Sequence, residues 1–166
     1  MNIGVIGKEE LGQYAHLILP YVCDELAAYK GDPEREYICL YGSIENADGI
    51  LFPVSALVML MEPDGALSLL SIYTLPEYRR RGFASELLDK AVFIARRLFI
   101  FDEGEDEEVI SLKAVYRLSP VRLDVFEAFL KKNDFTDFYL LNDDGELKTW
   151  AAISDVRFYK TGSNCL

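Results

Sequence analysis

Short apolar segments alternate with polar turns along this 166-residue chain, and their spacing predicts both strands and helices. The segments that predict strands are residues 2–6, 36–41, 50–61, 67–75, 109–116, 135–141 and 147–153. Residues 8–30 have helical character, but Pro20 interrupts them, so we expect two short helices there. The Asp-Gly pairs in 62–65 and 142–145 favour hairpin turns.

The clearest helix follows the fourth predicted strand. Apolar residues recur at helical spacing from Leu87 to Leu98, with acidic residues near the start and two arginines near the end. A second helix is predicted from Pro120, which follows the capping residue Ser119, to about Lys132. Together these elements indicate an α/β (α+β) domain over residues 1–154, followed by a polar tail over 155–166.

Composition narrows the class of protein. With 51% apolar and 27% charged residues the chain is typical of a globular protein. Its formal net charge of −11 disfavours nucleic acid and favours a cationic substrate or partner. The apolar run 50–61 is too short to cross a membrane, so we expect no membrane association. The sequence leaves open whether the chain forms a homodimer.

Cysteine usage and the first residues both indicate a cytoplasmic protein. Cys23, Cys39 and Cys165 lie far apart and show neither metal-ligand spacing nor a disulfide framework. The first ten residues lack the basic start and long apolar run of a signal peptide. We therefore expect a reduced environment and no metal. Gly4-Val5-Ile6-Gly7 lacks the full spacing of a dinucleotide-binding turn.

The segment with the most specific chemistry joins the fourth predicted strand to the clear helix. It contains three consecutive arginines, Arg79, Arg80 and Arg81, followed by Gly82. Amides in the first turn of a helix have no helical partner, so they donate readily to phosphate oxygens. Arginine adds charge and forked donors, and glycine leaves room for a ligand to approach the backbone. The segment therefore predicts a phosphate-binding site.

This segment resembles the acetyl-CoA motif of the GNAT acetyltransferase superfamily, Arg/Gln-x-x-Gly-x-Gly/Ala. The matching residues are Arg79-x-x-Gly82-x-Ala84, preceded by Pro76-Glu77-Tyr78 and followed by Leu87-Leu88. The resemblance extends over about residues 1–154. It implies the GNAT fold: a mixed, mostly antiparallel sheet of about seven strands, about four helices, and a splay between the fourth and fifth strands.

The resemblance also implies where acetyl-CoA binds. The pyrophosphate would be held by the amides of Arg81, Gly82, Phe83 and Ala84, and of Ser85, with the arginine side chains beside them. The pantetheine arm would pair with the strand edge at Ile72, Tyr73 and Thr74. The reaction implied is acetyl transfer to an amine, of a small cationic molecule or of a protein. The alternative is an acyl-CoA-binding module with weak or no turnover.

Three further functional positions of the family are aliphatic in this chain. The family's Gly-Phe pair corresponds to Asp134-Phe135, so the tyrosine that acts as general acid in many family members corresponds to Leu130. Its cofactor asparagine falls on Leu123, and its basic glutamate falls on Leu118. None of these leucines can exchange a proton, and their presence favours the binding module.

We therefore consider other groups as proton donors and acceptors. Tyr73 and Tyr116, which end neighbouring predicted strands, are the candidates for catalysis. Weaker candidates are Tyr139, Glu62, Asp64, His16 and Cys39. Departure of the thiolate without an acid is a further alternative, because a thiol has a pKa near ~8.5.

Overall fold

A computed structural model of the protein describes residues 1–31, 36–98, 107–117, 120–143 and 148–159. The strands are β1 (Asn2–Val5), β2 (Glu36–Glu45), β3 (Leu51–Met61), β4 (Leu67–Thr74), β5 (Glu107–Arg117), β6 (Asp137–Asp143) and β7 (Lys148–Tyr159). The helices are α1 (Leu11–Tyr14), α2 (Pro20–Ala28), α3 (Phe83–Leu98) and α4 (Pro120–Lys132). Short 3-10 turns cover Lys8–Glu10, Ala15–Leu17 and Pro76–Tyr78.

The strands form one sheet in the order β1-β2-β3-β4-β5-β7-β6. All neighbours are antiparallel except β4 and β5, which run parallel. The parallel pairing covers only Leu67–Leu112, Ser68–Lys113 and Leu69–Ala114, after which the two strands are no longer paired. The predicted fold class, including the splay between the fourth and fifth strands, is confirmed.

Each face of the sheet is covered by different helices. The amphipathic helix α3 and the helix α4 cover one face, where residues such as Leu87, Leu112 and Leu130 form the main buried cluster. The start of the chain and α2 cover part of the other face, where Leu17, Val22 and Val58 are buried. We refer to these as the α3/α4 face and the α1/α2 face. On the α1/α2 face, Val109 and Val115 of β5 are exposed.

Several boundaries differ from the prediction. Residues 42–45 were predicted as part of a polar turn, but they continue β2, because they pair with β3 across a bulge between Gly42 and Ser43. β7 continues to Tyr159 opposite β5, so residues 155–159 lie in the sheet, whereas we assigned them to the tail. Pro20 is the first residue of α2, and the preceding segment consists of α1 between two 3-10 turns.

Some predictions concern residues outside the described ranges. They include the capping residue Ser119, the tip of the last hairpin at 144–147, and the end of the chain from 160 to 166, which contains Cys165. Among the helices that the structure describes, none is long and apolar enough to span a membrane.

Candidate acyl-CoA site

The segment that the sequence predicts to bind phosphate forms a tight turn between β4 and α3. Pro76–Tyr78 make a 3-10 turn in which the amide of Tyr78 donates to the carbonyl of Leu75 at 2.9 Å. The backbone then enters the left-handed region twice, at Arg80 (φ 62°) and Gly82 (φ 88°). This conformation costs a residue with a Cβ about 1 kcal/mol or more but is unstrained for glycine. Glycine is therefore well suited to position 82, which directly precedes α3.

The start of α3 presents unpaired amides. The first backbone bond of the helix runs from the amide of Glu86 to the carbonyl of Gly82 at 3.0 Å. The amides of Phe83, Ala84 and Ser85 precede it and have no partner within a regular helix. A Cβ on Gly82 would meet only Glu86 Oε1, at 3.8 Å, so the approach to these amides is open. The arrangement is that of an anion-binding helix N-terminus.

Two of the arginines are held against aromatic rings. Arg79 Nε donates to the carbonyl of Thr74 at 2.9 Å, and its guanidinium lies 5.3 Å from the centre of the Tyr73 ring. Arg81 lies 5.3 Å from the centre of the Tyr78 ring. These cation–π contacts restrict where the two guanidinium groups lie. They place positive charge on the turn that leads into α3.

β4 offers a backbone edge beyond the point where it leaves β5. Val58 of β3 is opposite Ser71 and Met59 is opposite Leu69, which leaves Leu70 as an extra residue on β4. This bulge follows directly after the last β4–β5 pair, Leu69–Ala114. The following segment, Ile72 to Thr74, has no partner on β5. The geometry provides a slot between the strands, closed at Leu70 and open toward α3.

The open end of β4 is supported from beneath. Ser55 of β3 is fully buried, and its Oγ lies 2.8 Å both from the carbonyl oxygen of Tyr73 and from Thr74 Oγ1. Both contacts hold the end of β4 against β3. They therefore favour a structure in which this part of β4 stays apart from β5.

Tyr116 lies at the closed end of the slot, on the α3/α4 face. Continuing the parallel register places it level with Ser71. Only 7% of its surface is exposed, its ring packs edge-on against Phe126 at 5.0 Å, and its hydroxyl lies 3.4 Å from Glu127 Oε1 of α4. Burial and the neighbouring Glu127 raise the pKa of Tyr116 to about 12, so it is protonated at neutral pH.

The family's tyrosine position is occupied by a core residue. Leu130 is fully buried, and its carbonyl accepts the amide of Phe135 at 3.1 Å. With the bond from the amide of Asp134 to the carbonyl of Lys131, this is a Schellman motif that ends α4. Asp134 has φ 63°, the conformation that glycine adopts easily, which supports its match to the family's glycine. Leu123 packs against the same core, and Leu118 lies outside the described residues.

The other sequence candidates are not gathered at the slot. Tyr73 is 37% exposed and lies under Arg79 near the open end. Tyr139 lies on β6, opposite Ala151 of β7. Asp64 accepts the amide of Ala66 in the hairpin that precedes β4, at the far end of that strand. This hairpin also contains Glu62, the other acidic candidate.

Two further candidates lie on the α1/α2 side of the molecule. His16 is exposed in a 3-10 turn. Cys39 is packed against the core below α2, where burial raises the pKa of its thiol to about 11, so it is a poor nucleophile.

A pocket of about 500 Å³ lies elsewhere, at the end of the sheet where β2 begins. Its lining includes Lys8, Leu26, Tyr29, Tyr37 and Cys39. The end of β4 and the start of α3 are at the opposite end of the sheet, so this pocket is separate from the phosphate-binding turn. Across the described residues, no group of three potential metal ligands is present.

Sequence reasoning missed two residues near the slot. Glu127 lies one helical turn from both Leu123 and Leu130, and that spacing could have identified it as the polar group on this face of α4. Tyr21 of α2 donates from its hydroxyl to the carbonyl of Leu70 at 3.3 Å. No local sequence pattern indicates this contact, because it depends on how α2 packs on the sheet.

Comparison with known proteins identifies related sequences and folds. The family described as "Acetyltransferase (GNAT) family" matches residues 13–112. A search of curated proteins found no significant match.

Solved structures with a similar fold include three acetyltransferases. A spermidine N-acetyltransferase chimera from Vibrio cholerae superimposes with a TM-score of 0.60 at 12% identity, covering 93% of this chain and 96% of its own. A ribosomal-protein-alanine N-acetyltransferase from Escherichia coli gives 0.57 at 14% identity, covering 99% and 98%. A streptothricin acetyltransferase from Bacillus anthracis, solved with acetyl coenzyme A, gives 0.54 at 13% identity, covering 78% and 67%.

Proposed function

The chain belongs to the GNAT family of acetyltransferases, and from that premise we propose that it transfers an acetyl group from acetyl-CoA to an amine of a small cationic molecule or of a protein. Membership of the family makes it an acetyl-CoA-dependent N-acetyltransferase. The observation that best supports the cofactor is the turn at Gly82, because it leads into the unpaired amides of α3 and contains two arginines that contact aromatic rings.

We propose that the pyrophosphate binds the amides at the start of α3 and that the pantetheine arm pairs with the free edge of β4. The residues involved are Ile72, Tyr73, Thr74, Arg79, Arg80, Arg81, Gly82, Phe83, Ala84 and Ser85. With the phosphates at the open end, an extended arm along β4 brings the thioester to the closed end, near the bulge at Leu70.

Of the two tyrosines predicted for catalysis, we propose Tyr116 as the acid. Its partner Glu127 lies on the same face of α4 as Leu123 and Leu130, one turn from each. The hydroxyl of Tyr116 therefore reaches the helix face where other family members place their acid, but it comes from β5. Tyr73 supports the cofactor instead, because its ring holds Arg79 near the open end.

The proposed reaction forms one bond and breaks one bond at the thioester carbon. The amine nitrogen bonds to the thioester carbon, the carbon–sulfur bond breaks, and the electron pair stays on sulfur. Tyr116 donates its proton to this sulfur, and the surplus proton of the new amide goes to water. Glu127, whose side chain is 21% exposed, connects the Tyr116 hydroxyl to solvent, from which the proton is restored.

The acceptor preference rests on charge. A net charge of −11 attracts cations at low salt. Lys113 lies on the α1/α2 face of β5, however, close to the closed end of the slot, and it repels cations locally. We therefore propose a cationic amine as the acceptor and expect Lys113 to weaken its binding.

The test measures release of CoA from acetyl-CoA with a panel of amines. The panel includes spermidine and a tripeptide that begins with alanine, because these represent the acceptors named for two proteins of similar fold. Tyr116→Phe should lower kcat by about 100-fold or more, the usual contribution of a general acid. Tyr73→Phe should change kcat little.

Two results would contradict different parts of this proposal. Turnover that survives Tyr116→Phe unchanged removes this residue from the mechanism. Tight acetyl-CoA binding with no turnover of any amine supports the binding-module alternative, which the aliphatic Leu123 and Leu130 favour.

A further inference from the structure

The start of α2 is fixed to the sheet at the bulge of β4. Tyr21 Oη donates to the carbonyl of Leu70 at 3.3 Å, and the amide of Leu19 donates to Ser71 Oγ at 3.1 Å. Ser71 is buried, so the second contact is shielded from water. Together these bonds place the Tyr21 hydroxyl at one defined point of β4.

That point is the closed end of the slot. Leu70 comes directly after Leu69, the last residue of β4 that pairs with β5. α2 packs on the α1/α2 face, so the Tyr21 hydroxyl lies on the opposite face of the sheet from Tyr116. An acceptor that approaches the thioester from the face without α4 therefore meets Tyr21.

The hydroxyl oxygen of Tyr21 can still accept a hydrogen bond. A phenol has one donor hydrogen and acceptor lone pairs, and its hydrogen is used on Leu70. Within the part of the chain that the structure describes, no second group bonds to this oxygen, and 61% of the residue is exposed. Burial of the hydroxyl raises the pKa of Tyr21, which favours the neutral form.

A short row of apolar residues crosses the α1/α2 face of β5, β7 and β6, beside Lys113 of β5 and level with the end of the β4–β5 pairing. Val115 of β5, Ala151 of β7 and Tyr139 of β6 lie directly opposite one another on the α1/α2 face. Val115 and Tyr139 are 48% and 42% exposed. This row forms a floor about 10 Å wide, since neighbouring strands are about 4.8 Å apart. The apolar part of an acceptor can lie on it with the amine directed at Tyr21.

We propose that Tyr21 binds the acceptor amine, accepting a hydrogen bond from its N–H so that the nitrogen lone pair points at the thioester carbon. This rests on the proposed function and adds to it a residue on the acceptor side. The ammonium form of the acceptor loses a proton to water before it reacts. The Tyr21 hydroxyl stays protonated and continues to donate to the carbonyl of Leu70. Its contribution is to hold and orient the nucleophile.

No other described tyrosine on this face has the same position. The Tyr73 ring lies under Arg79, toward the open end of the slot. Tyr139 lies on the edge strand, separated from β4 by β7 and β5.

The experiment compares Tyr21→Phe with Tyr37→Phe. Tyr37 is the control, because its hydroxyl also joins the sheet to α2, through Glu25 at 2.6 Å, but it lies on β2, which β3 separates from β4. Steady-state kinetics are measured with spermidine and with the alanine tripeptide, and acetyl-CoA affinity is measured by thermal shift. For Tyr21→Phe we expect kcat/KM for the amine to fall about 10- to 100-fold, the effect of losing one hydrogen bond to a charged or reacting group. The KM and thermal shift for acetyl-CoA should not change, and Tyr37→Phe should behave as wild type.

The outcomes distinguish this proposal from the proposed function. If Tyr21→Phe weakens acetyl-CoA and amine in parallel, the hydroxyl only supports the bulge and the proposal is wrong. If Tyr21→Phe keeps full amine kinetics, the proposal is wrong while acetyl transfer stands. If wild-type protein acetylates neither amine although it binds acetyl-CoA, the proposed acceptor chemistry and this inference are both overturned.

Discussion

Gly82 gives the sharpest test of the phosphate-binding turn. Its φ of 88° strains any residue with a Cβ, at a cost of about 1 kcal/mol in the free energy of unfolding. The added Cβ itself has room, since its nearest neighbour is Glu86 Oε1 at 3.8 Å. A domain of this size has about 5 to 15 kcal/mol of stability, so both Gly82→Ala and Gly82→Glu should fold.

The two variants should differ in ligand binding. Acetyl-CoA at a hundred times its dissociation constant should stabilise the wild type by about 2.7 kcal/mol. For a domain of this length that equals a rise in Tm of about 5 to 11 °C. Gly82→Glu places a carboxylate over the amides of Phe83 and Ala84, so it should abolish the rise. Gly82→Ala adds only a methyl group and should keep part of it.

Gly31 provides the matched control. Its φ of 86° is nearly the same, and an added Cβ there meets nothing within 4 Å. Gly31 follows α2 and lies at the other end of the sheet from the start of α3. Gly31→Glu should therefore lose the same stability but keep the full response to acetyl-CoA. A folded Gly82→Glu protein with the wild-type rise in Tm would refute the assignment, and equal losses in both glutamate variants would attribute the effect to charge alone.

Four further predictions follow from the site and its surroundings. Asp134→Gly should raise the free energy of unfolding by about 0.5 to 1 kcal/mol, measured by urea denaturation, because φ 63° is strained for aspartate. Leu130→Tyr should lower stability by about 1 to 3 kcal/mol without raising kcat, because Leu130 is fully buried; a gain in kcat would contradict our assignment of the acid. Because the pKa of Tyr116 is raised to about 12 from its ordinary 10.0, the folded protein holds this proton more tightly than the unfolded chain; stability should fall between pH 10 and 12, and Tyr116→Phe should make that fall smaller, while Tyr14, whose pKa is also raised to about 12, keeps its share. Lys113→Gln should raise kcat/KM for spermidine about twofold at low salt, an effect that salt removes, whereas Lys90→Gln on α3 should not.

The order of elements could be predicted because it depends on local patterns. The amphipathic repeat of α3, the break at Pro20 and the hairpin at 62–65 are all properties of short segments, and the structure confirms them. The extension of β2 to Glu45 could not be predicted this way, since polar residues at a strand end join the sheet only when a partner strand is present.

The candidate site also combines features that depend on neighbouring residues with features that depend on contacts between distant segments. The turn at Gly82 depends on neighbouring residues, so the sequence was sufficient to indicate it. The bond between Tyr21 and Leu70 joins residues far apart in the chain and requires both the bulge and the packing of α2. The partner of Tyr116 likewise required the position of α4, because a hydroxyl at the end of β5 has several possible neighbours until that helix is placed.

The slot also explains how catalysis can proceed without a tyrosine on α4. β4 and β5 are no longer paired beyond Leu69 and Ala114. We propose that Tyr116 serves this end of the slot from the α3/α4 face and Tyr21 from the α1/α2 face. On the proposed assignments, the leaving sulfur and the incoming amine are served by hydroxyls on opposite sides of one thioester. Leu130 packs in the core, where its carbonyl accepts the amide of Phe135 at the end of α4, and the proposed acid is a hydroxyl at the end of β5 instead.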